Sequence, residues 1–185
     1  VVTLVGTDLY ESDSVEREFD ITPAKASVMF DSTELVYNGL IQKPVAHAYD
    51  LAGKELNVIY GFAGAINIGQ YELNVTTDNE NYELINSIVT FTISKRLLQI
   101  SVFDDNYVQE GNENWSKVFT NDDVSIASTD TISGKLSLIR DGLGRFTSID
   151  DFAWVEELTI VNSNGENVLA NYDIHYSLNV FVRNK

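Results

Sequence analysis

Apolar and polar residues alternate along most of this chain. In "QYELNVT", residues 70–76, Tyr71, Leu73 and Val75 fall on one side and Glu72, Asn74 and Thr76 on the other. That period of two belongs to a half-buried strand. Read the same way, residues 22–94 predict strands near 26–30, 34–37, 45–49, 56–62, 70–76 and 87–94. Residues 95–185 predict strands near 96–103, 115–119, 124–128, 132–139, 156–162 and 173–182. In the last of these Ile174, Tyr176, Leu178, Val180 and Val182 share a face, leaving Asp173, His175 and Ser177 on the polar side. Turn chemistry separates the strands. "YNG" (Tyr37, Asn38, Gly39), "RDGLGR" and "NSNGEN" carry the Asn, Asp and Gly that tolerate positive φ. One segment, "SIDDFAWVEEL" at 148–158, has helical spacing, with Ser148 or Asp150 as cap and Phe152, Val155 and Leu158 inward.

Many short strands with frequent turns predict an all-β fold of tandem immunoglobulin-like antiparallel β-sandwich modules; β-grasp-like modules are the alternative. "NIGQYEL" adds a local sign, with Asn67, Gly69, Tyr71 and Leu73 at alternating positions. A tight turn followed by a Tyr two residues before a core position predicts a hydroxyl that pins the corner to nearby backbone.

The chain also repeats itself. "NYELINSIVTFTISK", residues 81–95, and "NYDIHYSLNVFVRNK", residues 171–185, align without a gap at an offset of 90. Asn81 meets Asn171, Tyr82 meets Tyr172, Ser87 meets Ser177, Phe91 meets Phe181 and Lys95 meets Lys185. A shorter echo, "VEREFDITPAK", sets Phe19 and Ile21 against Phe91 and Ile93. Repeats each followed by a fresh apolar pattern predict modules in tandem. The boundaries fall near residues 22 and 95: closing strands of an upstream module over 1–21, one β module over 22–94 and a longer one over 95–185. Their unequal lengths predict bead-like units, each with its own core, and the short joints "TPAK" and "SKR" predict a stiff rod. The opening "VVTLVG" reads as mid-strand sequence, so the chain is expected to be a piece of a longer protein.

Composition narrows the function classes. The 185 residues include nine Phe, nine Tyr and no Cys. Aromatics suit strands, and the missing thiols exclude disulfides, thiolate metal sites and Cys nucleophiles. Net charge is −16, spread along the chain. A nucleic-acid surface needs a basic stripe, and none is present. No apolar run approaches the length of a membrane span.

Candidate chemistry is sparse. His47 and His175 both read as strand histidines facing solvent, one in each module, which predicts no catalytic site. The acidic doublets, such as Asp150–Asp151 and Glu156–Glu157, point apart on a strand and do not face each other across a cleft. No cofactor is expected, with calcium the one candidate. Asp104 and Asp105, with Asn106, Glu110, Asn112 and Glu113, offer hard oxygens, and Asn121, Asp122 and Asp123 add more. Trp115, Trp154 and Arg145 are candidates for a sugar platform. A Lys–Asn isopeptide bond is a further candidate, as in some surface β modules.

"VYNGLIQKPV", "NIGQYEL", "NYEL" and "FTISK" together resemble the MBG domain, a mostly-β module found in tandem in bacterial surface proteins. The residues that carry the likeness are Tyr37, Asn38, Gly39, Gln42, Pro44, Asn67, Gly69, Tyr71, Asn81, Tyr82, Phe91, Ile93 and Lys95. It covers residues 22–96. Beyond them "ANYDI", with Asn171 and Tyr172, and Phe181 fit, and "DDNYVQEGN" is similar to a YDG-type opening, but the Y-N-G-x-x-Q-x-P and N-x-G-x-Y signatures are missing. The resemblance implies an extracellular, cell-surface location, a spacer or adhesion role and no catalytic residues. The expected function is a non-catalytic, semi-rigid spacer whose partners are adjacent modules of the same chain. The alternative is an adhesin or carbohydrate-binding module that takes a host or environmental glycan or protein.

Overall fold

Residues 2–8, 13–101, 108–110, 114–139 and 152–177 are described by a computed structural model, and over them the protein is all β. β1 (Val2–Leu4) and β2 (Asp13–Val15) form a short antiparallel pair. The next eight strands are β3 (Ala24–Phe30), β4 (Glu34–Val36), β5 (Ala46–Tyr49), β6 (Glu55–Leu56), β7 (Ile59–Tyr60), β8 (Gly69–Thr76), β9 (Tyr82–Ile85) and β10 (Ile88–Ser94). They make two four-stranded sheets, ordered β6-β5-β3-β9 and β4-β10-β8-β7. Alternation decides what each sheet buries. β8 turns Leu73 and Val75 inward and β10 turns Phe91 and Ile93 inward, while β3 and β5 contribute Ala26, Val28, Ala46 and Ala48. Glu72, Asn74 and Thr76 face solvent, as the sequence pattern requires. The Ala46 N–H donates to the Tyr60 hydroxyl at 2.9 Å, tying one sheet to the other.

The second half holds β11 (Arg96–Ser101), β12 (Val108–Glu110), β13 (Asn114–Phe119), β14 (Asp130–Ile139), β15 (Phe152–Asn162) and β16 (Tyr172–Ser177). β11 pairs with β16, and β12-β13-β14-β15 form an antiparallel sheet. Leu98 and Ile100 of β11, Phe119, Ile132, Leu136, Ile160 and Tyr172 supply its buried side chains.

Several expectations are corrected. The sheets are not wholly antiparallel: β3 runs parallel to β9, β4 to β10 and β11 to β16. A parallel pair needs a long crossover, and in each case the intervening strands provide it. Where a helix is predicted over 148–158, residues 152–158 lie in β15 and 148–151 lie outside the described residues. The pairing of β15 with β14 is irregular between Ser133 and Leu136. Val155 is 62% exposed there, while Trp154 and Leu158 pack against the core, so the apolar residues at helical spacing do not share an inward face. Residues 124–128 form a loop, not a strand; Ala127 is nonetheless buried, so apolar residues reach the core from a turn. Residues 56–62 break into β6 and β7, while β9 and β12 are strands not expected from the sequence.

The echo at Phe19 and Ile21 also differs. Phe91 and Ile93 are each 1% exposed in β10, but Phe19 and Ile21 are 80% and 88% exposed in a segment without strand pairing. No described strand offers residues 16–23 a sheet, and none of the described residues buries them. Phe181 and Lys185, with Leu178, Val180 and Val182, lie outside the described residues.

Candidate functional site at the junction of the two halves

β10 ends at Ser94 and β11 begins at Arg96, so one residue, Lys95, joins the halves. No described strand of one half pairs with a strand of the other. Burial nevertheless crosses the joint. The buried side chains of both halves join into one cluster. The reason is a ring contact: Tyr37 and Tyr172 meet edge-on, with centroids 5.4 Å apart.

Tyr37 follows β4, and its backbone N–H donates to the Ser94 carbonyl at 2.9 Å, which holds it at the joint. Tyr172 opens β16 opposite Arg96. Both hydroxyls donate to the same oxygen of Asp130, at 2.8 Å from Tyr37 and 2.7 Å from Tyr172. The other Asp130 oxygen accepts from the Thr129 hydroxyl at 2.9 Å. The Ala127 N–H donates to the Tyr172 hydroxyl at 3.1 Å. Asp130 is 1% exposed. A buried carboxylate is costly unless it is fully hydrogen-bonded, and three hydroxyl donors satisfy this one. Burial, and then the bond to Asp130, push the Tyr37 hydroxyl up to about 12. The same causes push Tyr172 upward as well.

Around this centre the quoted motif residues converge. The Asn171 amide donates to the Asn67 side-chain oxygen at 2.9 Å, and its own oxygen accepts from the Ile68 N–H at 3.2 Å. Gly39 adopts φ +80°, and a Cβ there would sit 1.8 Å from the Thr129 hydroxyl. Only a glycine lets the Tyr-Asn-Gly turn approach the second half so closely. Asn38 shapes that turn by accepting from the Leu40 N–H at 2.8 Å. Gln42 makes a two-way backbone bridge to Ala65 and donates its amide to the Val36 carbonyl at 3.2 Å.

The remaining motif residues act within one half. The Tyr71 hydroxyl donates to the Asn67 carbonyl at 2.9 Å, closing the corner whose turn also presents Asn67 to Asn171. Leu73, two residues on, is fully buried. Gly69 packs beneath the Tyr71 ring, where an added Cβ would lie 3.2 Å from it. Tyr82 opens β9 opposite Ala24, as Tyr172 opens β16 opposite Arg96. Its hydroxyl donates to Asp50 at 3.1 Å. Sequence reasoning missed Asp130, Thr129, Ala127 and Ile68. Nothing local distinguishes Asp130 from the neighbouring acidic residues; only the fold brings it beneath two tyrosines.

The other candidates lead elsewhere. Asp104 and Asp105 lie outside the described residues, as do Asn106, Asn112, Glu113 and Arg145. Asp123 is committed to structure: it pairs with the buried Lys117 at 2.8 Å and accepts from the Thr120 N–H at 2.8 Å. Burial acts to raise its carboxyl, but the bonds from Lys117 and Thr120 outweigh it and hold the group low. Asn121 spends its amide on the Asp130 carbonyl and the Ile132 N–H. No group of three or more metal-ligating side chains occurs among the described residues. His47 bonds Glu55 at 2.9 Å and faces Asp31 at 3.5 Å across the open face of its sheet. A shallow hollow of about 460 Å³ beside it is lined by Ala46, Glu55, Leu56, Asn57, Val58 and Tyr60, none of them an activated nucleophile. His175 bonds Asp173 at 3.1 Å on the exposed side of β16. Trp154 is half-buried rather than free: its ring packs on Phe119 at 5.6 Å and over Gly134, and its N–H donates to the Tyr176 hydroxyl at 3.1 Å. The side chain of Trp115 lies outside the described residues.

Comparison with known protein families, with curated proteins and with solved structures finds no match. No helix among the described residues is long and apolar enough to cross a membrane.

Proposed function

We propose that this chain is a structural segment: two β modules, over 22–94 and 95–185, locked end to end into a semi-rigid spacer of a bacterial cell-surface protein. The observation that carries this reading is Asp130, buried between tyrosines contributed by both halves. A flexible linker exposes its joint to water and keeps polar linker residues there. Here the joint is one residue long and sealed by a hydrogen-bonded carboxylate, the arrangement expected where orientation has to be held. The MBG-like motifs support the same reading, because Tyr37, Gly39, Asn67, Asn171 and Tyr172 are the residues that meet at the joint. Cell-surface location and the absence of catalysis rest on that resemblance. The packing of Trp154 does not favour a sugar platform.

The test is a distance distribution across the joint. The chain has no cysteine, so spin labels at Glu72→Cys and Glu157→Cys report one distance only. A single narrow distribution, broadened by Tyr37→Phe together with Asn171→Ala, is the expected result. A broad distribution in the unaltered protein overturns the spacer reading.

A further inference from the structure

The joint between the halves has a counterpart at the other end of the first half. Asn171 and Tyr172 stand at the start of β16, beside the first residue of β11, and grip the preceding half through Asn67, Ile68 and Tyr37. Asn81 and Tyr82 stand at the start of β9, beside the first residue of β3, in the same parallel register. The Asn81 carbonyl accepts from the Ala24 N–H at 2.8 Å, which fixes its backbone. Tyr82 already donates to a carboxylate, Asp50, as Tyr172 does to Asp130. What differs is the outer half of the contact. The Asn81 side chain has no hydrogen-bond partner among the described residues, whereas Asn171 uses both ends of its amide. A hollow of about 290 Å³, lined by Ile21, Thr22, Pro23, Ala24, Glu80, Asn81 and Tyr82, opens where a preceding unit would sit.

A second, independent feature points to the same occupant. Phe91 and Ile93, in the strand that leads into the joint, are buried in the first half's core. Phe19 and Ile21 occupy the matching positions in the segment that leads into β3, and both are almost fully exposed. They stand in a segment without strand pairing, and Ile21 lines the hollow beside Asn81 and Tyr82. Exposed apolar side chains that adjoin a polar socket supply the apolar part of such a contact.

We infer that the Asn81–Tyr82 end of the first half is a docking face for another β unit of the same kind. That unit presents a Tyr-Asn-Gly turn and an N-x-G-x-Y corner and covers Phe19 and Ile21. Its tyrosine hydroxyl shares the Asp50 carboxylate with Tyr82, and its corner asparagine pairs with the Asn81 amide. The inference rests on the reading of the chain as docked units and adds the partner and the residues that receive it.

The experiment replaces residues 1–23 of the full chain with a copy of residues 1–95, so that Phe91 and Ile93 of the copy stand in place of Phe19 and Ile21 ahead of Ala24. Labels at Glu72→Cys in both copies span the new joint, and the Glu72→Cys, Glu157→Cys pair spans the native one. The expected result is a narrow distribution at the new joint that broadens at least twofold when the resident copy carries Asn81→Ala and Tyr82→Phe, with the native joint unchanged. Without the added copy, Asn81→Ala leaves the melting temperature unmoved. A broad distribution at the new joint with a narrow native one overturns the inference and leaves the spacer reading standing. Broad distributions at both joints overturn the spacer reading. Folding of the added copy is followed by amide exchange at its Leu73 and Phe91, and an added copy that stays unfolded also counts against the inference.

Discussion

Tyr37 and Tyr172 donate to one oxygen of Asp130, at 2.8 and 2.7 Å, although they belong to different halves of the chain. Their rings touch edge-on at the same point. The carboxylate is therefore shared property: neither half completes its hydrogen bonds alone.

That sharing predicts non-additive mutants. Tyr37→Phe removes one hydroxyl from a buried carboxylate and is expected to cost about 1.5–3 kcal/mol, the worth of a hydrogen bond to a charged group. For a chain of this length each kcal/mol lowers the melting temperature by roughly 2–4 °C. Asp130→Ala costs more, because it strands the Tyr37, Tyr172 and Thr129 hydroxyls together. In the double mutant the Tyr37 change is worth at least about 1 kcal/mol less than on its own, the signature of residues in one network. Additive losses in denaturant melts contradict the shared site.

Gly39 is predicted to be irreplaceable for a reason that lies in the other half. Gly39→Ala sets a methyl against the Thr129 hydroxyl and also holds an L-residue at φ +80°. The backbone part costs about 1–2 kcal/mol, and the clash adds to it. Thr129→Ala removes the atom that is struck but also one donor to Asp130, so the comparison is with the Thr129→Ala single variant: in that background Gly39→Ala is expected to cost less, by the clash, and to keep the backbone strain. Partial rescue in thermal melts is the expected outcome; no rescue places the effect within the turn.

Alkaline pH should open the joint. The Tyr37 hydroxyl is raised from 10.0 to about 12 in the folded protein. Above pH 10 the unfolded chain loses a proton that the folded chain keeps, so stability is intact below pH 10 and falls as pH rises toward 12. The slope is about 1.4 kcal/mol per pH unit for this group, on the order of 3 kcal/mol across the window. Tyr172 is raised as well and steepens the fall. Tyr37→Phe is expected to flatten the decline, measured by urea melts between pH 9 and 11.5. An equal decline in the variant assigns the loss to other groups.

How far the sequence anticipates this arrangement depends on the range of the information. Tyr71, Leu73 and Val75 could be placed because a strand's alternation is local, and the Tyr71 corner because its acceptor, Asn67, is four residues away. The far part of β15 is legible as a strand over 156–162, but its start is not, because Trp154 and Leu158, four positions apart, both pack on the core while Val155 is exposed. The repeated "NY" was visible, and Tyr82 and Tyr172 do open equivalent parallel strands. Its purpose was not, because Asn171 and Tyr172 find their partners at Tyr37, Asn67 and Ile68, 103 or more positions away, through contacts that only folding creates. Asp130 carries no local sign at all.

His47 gives a prediction with the opposite setting, exposed and near neutral pH. The hydrogen bond that the ring donates to Glu55, and then the charge of Asp31, raise it above 6.5. The contribution is therefore fully present below pH 6.5 and is lost as pH rises through the higher folded value. Proton NMR of the ring is expected to show a midpoint above 6.5 that drops in Glu55→Gln. A midpoint unaffected by that change removes Glu55 as the cause.

Trp154 separates a structural role from a binding one. Its ring lies over Gly134 and against Phe119, and its N–H is engaged by Tyr176. A stacking platform for sugars needs a free ring face, whereas a packed ring contributes to the core. Trp154→Ala opens a cavity between β14 and β15 and is expected to cost about 3 kcal/mol, the lower end for buried aromatics because the ring is only partly enclosed. Trp154→Phe keeps the contact with Phe119 and recovers most of that loss, although it gives up the bond to Tyr176. Chemical denaturation of the two variants tests this order. If Trp154→Ala melts like the parent chain, the ring is not supporting the β14–β15 sheet, and a surface role for it has to be sought instead.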